Sequence, residues 1–204
     1  MLILITIVAI WLGWKSHRAR QIRLIVKSVQ SDGYMVYYSL EDPTKSAIAD
    51  ATWYSRMLGT EFYADVIGVE GFAHRNLGAD RLQTLADMDS MESLRVSFTE
   101  IDEESIKAIG EMSKLRILHI SAPDFPPEYL SHLTNLNNLE NLSITRPIGD
   151  GGVAILAQIK SLEKLTISSE TLTQEGIQQL GALKNLKRLK LWGNLDVTWE
   201  TKQA

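Results

Sequence analysis

Pairs of apolar residues separated by a single position recur through the second half of the chain. Successive pairs are 24, 24, 23 and 24 residues apart. Two apolar side chains at i and i+2 point to the same face of a β strand, so each pair predicts a short strand with one buried face. The pairs are Leu94/Val96, Leu118/Ile120, Leu142/Ile144, Leu165/Ile167 and Leu189/Leu191.

Each of the first four pairs is followed by one apolar residue and then by three apolar residues at helical spacing. Apolar side chains at i, i+3 and i+6 form a stripe along one face of a short helix. An earlier unit over residues 67–88 fits the same template with a longer first loop. These positions are Ile67/Val69, Leu77 and Leu82/Leu85/Met88 in the early unit, then Ile101 with Ile106/Ile109/Met112, Phe125 with Leu130/Leu133/Leu136, Ile148 with Val153/Leu156/Ile159, and Leu172 with Ile177/Leu180/Leu183.

One strand and one short helix cannot bury their apolar faces alone, so successive units must stack and share a core. We therefore expect an α/β solenoid with short parallel strands on its concave side and helices on its convex side. The spacing LxxLxL before a helix resembles the leucine-rich repeat over residues 65–192. The register of the apolar residues gives about five repeats followed by a terminal strand.

The turn IGDGGV at 148–153 is similar to the I-T-D-x-G-L turn of the leucine-rich repeats in F-box-type proteins and in many planctomycete proteins. The turn LTQEGI at 172–177 keeps only the glycine before the apolar residue. The apolar N-terminus, the basic segment after it and the stretch DGYMVYY also resemble the leader of those planctomycete proteins. The resemblance implies an anchored repeat protein and brings no known activity with it.

Residues 1–14 predict a hydrophobic anchor, which is a candidate transmembrane helix. Residues 2–14 contain no charge, but a helix of that length spans only ~20 Å, whereas a bilayer core is ~30 Å thick. Trp11 and Trp14 lead directly into Lys15, a sequence of aromatics and cations typical of a membrane–water interface. The sequence leaves open whether this segment spans a membrane, is cleaved, continues upstream or docks on the domain.

Residues 15–31 predict a basic amphipathic helix that lies near anionic lipid headgroups. Its apolar residues are Ile22, Leu24, Ile25 and Val29. If the anchor spans, the excess of Lys and Arg on this side predicts that the domain faces the cytoplasm. We accordingly expect a single-pass or N-terminally anchored membrane protein.

Residues 32–64 predict an α/β capping module between the basic helix and the repeats. Asp32-Gly33 is a turn signal, residues 34–40 are rich in strand formers, and residues 47–58 predict a helix. The aromatic residues of this module are interpreted as a cap over the end of the repeat core. Residues 65–204 then form the repeat region.

The distribution of charge argues against a nucleic-acid-binding surface. The formal net charge is −4, but residues 1–31 contain five Lys or Arg and no acid, so residues 32–204 hold 16 Lys and Arg against 25 Asp and Glu. An acidic body lacks the basic surface that nucleic acid requires. The chain contains no cysteine, which excludes disulfides, thiolate metal sites and cysteine nucleophiles.

No motif predicts a catalytic, cofactor or metal site. The stretch IGDGG could form a phosphate loop, but no Lys-Ser or Lys-Thr follows it. Asp150 would also place a negative charge where a phosphate binds, and we predict instead that it caps its own helix. The four histidines lack metal-ligand spacing, and no repeat combines a nucleophile, a base and an orienting group. We therefore expect a protein that is not an enzyme.

The residues that flank each buried pair predict a partner-binding surface on the concave sheet. From residue 93 onward they include no carboxylate, and they become basic toward the C-terminus. We expect a membrane-anchored protein-interaction module that binds a protein with an acidic or polar surface. The alternative is a structural or envelope-associated repeat protein without a specific partner. The predicted contacts are Arg95, His119, Asn141, Lys164, Arg188, Lys190 and Trp192.

Overall fold

The fold is built on one eight-stranded sheet whose strands follow each other in chain order. The computed structural model describes residues 2–39, 65–71, 77–122, 125–168, 170–193 and 198–200. The strands are β1 (Met35–Ser39), β2 (Asp65–Glu70), β3 (Ser93–Ser97), β4 (Ile117–Ser121), β5 (Asn141–Ile144), β6 (Lys164–Ser168), β7 (Arg188–Trp192) and β8 (Thr198–Glu200). Strands β2 to β7 are parallel, and β1 and β8 pair antiparallel at the two ends.

A helical segment follows each of the strands β2 to β6. Each of these segments contacts the next one along the chain. They are α2 (Ala79–Ala86), α3 (Glu103–Gly110), the 3₁₀ helix η1 (Pro127–Asn135), α4 (Gly149–Leu156), and α5 (Gln174–Gln179) with the short 3₁₀ helix η2 (Leu180–Ala182). Since η1 begins with a proline, its first turn needs no backbone donor at that position.

An α/β fold with a mostly parallel sheet is therefore confirmed. The strand pairs predicted from the apolar spacing lie opposite one another in the ladder, from Leu94 through Leu118, Leu142 and Leu165 to Leu189. The helical stripes meet these pairs in a single core, in which Ile106, Leu130 and Val153 are fully buried. The structure therefore repeats every 23 or 24 residues, because this interval places equivalent apolar side chains on the same face of the sheet.

Strand β2 differs from the prediction by one residue. Tyr37 pairs with Gly68 and Tyr38 with Val66, so Ile67 is an extra residue at a bulge. A bulge reverses the alternation of side chains beyond it. Val66 and Val69 are consequently buried, whereas Ile67 is half-exposed. The prediction of Ile67/Val69 as the buried pair was wrong at Ile67, and β8 was not predicted.

The N-terminal segment is one continuous helix, α1 (Leu2–Ser31). Its C-terminal part packs against the core, because Ile22, Val26 and Val29 are buried. The apolar stripe of residues 15–31 therefore contacts the domain, and only Leu24, 64% exposed, faces outward. The structure thus gives this stripe a place in the core, and the nearness of residues 15–31 to lipid headgroups stays a prediction. Within the described ranges, no helix is both long enough and apolar enough to cross a membrane.

Earlier along α1 the apolar side chains are exposed. Ile10 is 67% exposed and Trp14 is 59% exposed, and the neighbouring Ile7, Trp11 and Leu12 are exposed as well. These side chains do not contribute to the buried core of the domain. The predicted helix at 47–58 and the aromatic residues Trp53, Tyr54, Phe62 and Tyr63 lie outside the described residues.

Candidate functional site

The seven predicted contacts lie on one face of the sheet, which we call the open face. It consists of the side chains of β3 to β7 that alternate with the buried pairs and point away from the core. One row runs through Arg95, His119, Ser143, Thr166 and Lys190, and a second row through Ser93, Ile117, Asn141, Lys164 and Arg188. Trp192 lies in a third row, opposite Ser168.

The first row continues onto β2, where it acquires a carboxylate. Glu70 pairs with Arg95 in the ladder, and the two side chains form an ion pair with 2.5 Å between Nη1 and Oε1. The Tyr37 hydroxyl donates to Glu70 Oε2 at 3.1 Å, and this hydrogen bond raises the pKa of Tyr37. Sequence reasoning missed Glu70 because the outward positions were assigned only from residue 93 onward, although Val69 was predicted to be buried and the residue after it therefore faces outward. The charge of Arg95 is therefore already matched within the face.

His119 is half-buried beside Arg95, and its pKa is lowered, first by burial and then by the Arg95 cation. The neighbouring Glu70 carboxylate acts in the opposite direction and is outweighed. A histidine ordinarily titrates near 6.5, so His119 is mainly neutral at pH 7. It can donate or accept one hydrogen bond on the open face, but it does not add to its positive charge.

The open face is basic at β6 and β7. Lys164, Arg188 and Lys190 are exposed. The described rungs of this face on β5, β6 and β7 include no carboxylate side chain, and Glu200 of β8 lies opposite Arg188 in the ladder. Trp192 is partly exposed beside them. Ser168, which opposes Trp192, is buried rather than exposed. This end of the face therefore combines three exposed cations with one accessible aromatic ring.

A shallow groove of about 500 Å³ lies at the other end of the open face. Tyr37, Gly68, Ser93 and Ile117 occupy successive positions across four strands, and the small Gly68 and Ser93 form the low part between two larger side chains. Tyr37 and Ile117 are 44% and 43% exposed. The groove also carries the Glu70 carboxylate. The two ends of the open face thus differ in both shape and charge.

A row of charged side chains precedes the strands and was missed from the sequence. These residues are Glu92, Arg116, Glu140, Glu163 and Lys187. Arg116 binds Glu140 through two hydrogen bonds of 3.0 Å each, and Lys187 Nζ donates to Glu163 at 2.8 Å. The Arg116 contact lowers the pKa of Glu140. The signal was available, because each of these residues stands just before a strand and repeats with its period.

The IGDGG turn joins two neighbouring helices. Helix α4 has Ile148 as its N-cap, and no side chain caps it. Asp150 instead accepts hydrogen bonds from the Thr173 backbone N–H at 3.0 Å and from the Thr173 hydroxyl at 2.6 Å, which lowers its pKa. Thr173 in turn caps α5 by accepting from the Gly176 N–H. The prediction that Asp150 caps its own helix was wrong.

Backbone conformation and core packing explain the glycines at two positions of this turn. Gly149 has φ of 61°, a left-handed conformation that favours glycine. A side chain at Gly152 would contact Ile148 and Leu130 inside the core. The contacts of this turn are therefore those of a structural turn and not those of a phosphate-binding loop. Asp102 illustrates ordinary capping elsewhere, since its carboxylate accepts from the Ser105 N–H at 2.6 Å.

Among the residues that the structure describes, no three His, Asp or Glu side chains converge as a metal site would require. His132 lies 2.9 Å from Glu103 at the surface, as an isolated pair. No family model matches the chain, and no curated protein matches it.

Proposed function

We propose that this chain is a leucine-rich-repeat solenoid that acts as a non-enzymatic, membrane-anchored protein-interaction module. The solenoid is supported by strands that pair in chain order, by helices that contact in the same order and by the single core that they share. Neighbour-to-neighbour stacking of this kind is how repeat proteins bury their apolar faces. The binding surface in this proposal is the basic end of the open face.

The observation that carries the proposal is the cluster of exposed cations on β6 and β7. Lys164 and Arg188 are paired in one row, and Lys190 lies in the next row on β7. Adjacent strands are ~4.8 Å apart, and side chains on one face of a strand repeat every ~7 Å. An acidic segment that crosses the two strands would therefore place several carboxylates near these cations, while Asn141, Ser143 and Thr166 supply hydrogen bonds.

Charge complementarity also indicates which partners the basic end of the open face would bind and how salt would affect that binding. The described body of the chain is acidic apart from α1, so the basic end is a local exception that acts at short range. Such a surface increases the rate of association with acidic partners and weakens as salt screens it. A partner that binds here should therefore bind less tightly as ionic strength rises.

The membrane part of the proposal rests on the exposed apolar residues of α1. Ile7, Ile10, Trp11, Leu12 and Trp14 form no part of the buried core, and two of them stack with cations, Trp11 with Lys15 at 5.0 Å and Trp14 with Arg18 at 5.8 Å. Indole rings next to cations are favoured at the boundary between lipid and water. We propose that these residues contact lipid.

The experiment tests binding to a defined acidic probe, a fluorescein-labelled peptide of alternating Asp and Glu. The triple variant Lys164→Glu, Arg188→Glu and Lys190→Glu should bind at least about tenfold more weakly than the wild type, or ~1.4 kcal/mol. The control reverses three exposed lysines outside the open face, Lys107, Lys114 and Lys184. It changes the net charge equally, so it separates a specific face from general electrostatics.

Partner capture by crosslinking in cell extract follows with the same variants. Proteins that bind through the open face should be lost with the triple variant and retained with the control. Equal binding by both variants would contradict the proposal for this face. A wild type that captures no partner and ignores the acidic peptide would favour the structural or envelope-associated alternative.

A further inference from the structure

Helix α1 runs antiparallel to α2, and two contacts define this orientation. Near the C-terminal end of α1, Asp32 forms an ion pair with Arg81 in the first turn of α2. Further toward the N-terminus, Arg18 donates to the backbone carbonyl of Met88, just after α2 ends, at 3.3 Å. The start of α2 therefore lies beside the end of α1, and the end of α2 lies beside the middle of α1.

Residues 2–17 of α1 consequently extend beyond the end of α2. With a rise of 1.5 Å per residue, this part is roughly 24 Å long. Arg18 also lies 3.6 Å from Asp65, the first residue of β2. The helix therefore leaves the domain at the edge where α2 ends and β2 begins.

The same edge extends along the whole parallel sheet. Since β2 to β7 are parallel, every turn that leads from a helix into the next strand lies on one edge. We call it the turn edge. Its turns are 87–92, 111–116, 136–140, 157–163 and 183–187. The opposite edge carries the turns that lead from each strand into the next helix.

The aromatic residues of α1 lie immediately outside the turn edge. The Arg18 guanidinium stacks over Trp14 at 5.8 Å and also donates to Met88 O. One side chain therefore connects the exposed indole to the first turn of this edge. The buried Ile22, Val26 and Val29 fix the rest of α1 against the core, so no flexible linker separates the apolar part from the domain.

We propose that the turn edge faces the bilayer, so that the strands stand on the membrane surface and the sheet extends alongside it. This inference rests on the proposed membrane anchor, and it adds the orientation of the domain. The turns of this edge carry Lys114, Lys160 and Lys184 together with the carboxylates Asp87, Asp89 and Glu111, so the orientation rests on the exposed apolar part of α1 and not on the charge of the edge. The occupant of this surface is a lipid bilayer that contains anionic lipid.

The test places single cysteines on the two edges of the full chain, which has no native cysteine. Asp87→Cys and Lys184→Cys lie on the turn edge, and Asp80→Cys and Glu175→Cys are exposed positions toward the opposite edge. Each variant is labelled with a fluorophore and mixed with phosphatidylcholine–phosphatidylglycerol vesicles that contain a nitroxide-headgroup lipid. The two pairs lie at the two ends of the sheet, so they report on the whole edge.

Labels on the turn edge should be quenched at least about twofold more strongly than their matched controls, because a five-residue strand separates the two edges by roughly 15 Å. Vesicle co-sedimentation is measured on the same samples. Variants that co-sediment but show equal quenching at the two edges, or stronger quenching at Asp80 and Glu175, would overturn the orientation while leaving the anchor intact. Failure to co-sediment would overturn the anchor and the orientation together.

Discussion

His119 illustrates how the open face changes the chemistry of one residue. Burial and the Arg95 cation lower its pKa in the folded chain below the ordinary value of 6.5. Between those two pKa values the unfolded chain binds more protons than the folded chain, so stability rises with pH in this interval. The contribution is fully present above the unfolded-state pKa and is lost as the pH falls toward the folded-state pKa.

We therefore expect His119→Gln to reduce the loss of stability between about pH 7 and pH 5. The measurement is the urea midpoint at each pH. The matched control is Ser143→Ala, since Ser143 is the next residue in the same row and does not titrate in this range. An equally steep loss in the wild type and in His119→Gln would contradict the role assigned to His119.

For single residues, the sequence predicts which apolar side chains are buried better than it predicts which polar side chains bind one another. Leu142, Ile144 and Val153 were identified from spacing and are buried, because apolar burial depends on periodicity. Glu70 and Asp150 were missed or misassigned, because their partners, Arg95 and Thr173, are distant along the chain. These two contacts leave no periodic signal in a single sequence, unlike the charged row before the strands, which repeats with their period.

The packing of neighbouring helices depends on Gly110 at the C-terminal end of α3. An added Cβ there would overlap the backbone carbonyl of His132 in η1, which cannot move as a flexible side chain would. Alanine is normally favoured over glycine within a helix by up to ~1 kcal/mol. At Gly110 the loss of close packing should exceed that gain, because inserting a methyl group into a packed interface costs ~1–3 kcal/mol.

Gly110→Ala should therefore lower the free energy of unfolding, as measured by urea denaturation. The control is Gly151→Ala in α4, where an added Cβ has no neighbour within 4 Å. That change should be neutral or should stabilise by up to ~1 kcal/mol. If Gly110→Ala proved as stable as Gly151→Ala, the close approach of α3 and η1 would be incorrect.

Most strands and helices were predictable because the same apolar pattern recurs in each repeat. The strands β3 to β7 occur where the pairs predict them, and the five helical stripes are buried except at Ile177, which is partly buried. Strand β2 deviates because its apolar stretch DVIGVE allows either Val66 or Ile67 to face inward, and the bulge selects Val66. Strand β8 was missed because it is three residues long and pairs antiparallel, outside the repeating pattern.

At the scale of the whole molecule, the two parts of α1 differ: the C-terminal part packs in the core and the N-terminal part is exposed. An apolar stripe such as the one around Val29 fits equally well against a domain or against lipid, so the sequence alone does not decide between them. The structure places Ile22, Val26 and Val29 in the core and leaves Trp11 and Trp14 exposed. In the proposed orientation the strands stand on the membrane, so the open face is directed sideways and its basic end can meet a partner beside the bilayer.

This division predicts opposite effects from substitutions in the two parts of α1. Trp11→Ser with Trp14→Ser should remove vesicle binding and leave the thermal midpoint unchanged, because neither ring contributes to the core. Val29→Ala should lower the stability by on the order of 1–3 kcal/mol, since Val29 is completely buried, and should leave vesicle binding intact at temperatures where the variant is folded. Co-sedimentation and thermal unfolding on the same preparations measure both effects. Loss of stability in the tryptophan variant would show that these rings pack on the domain, and the lipid contact proposed for them would then be wrong.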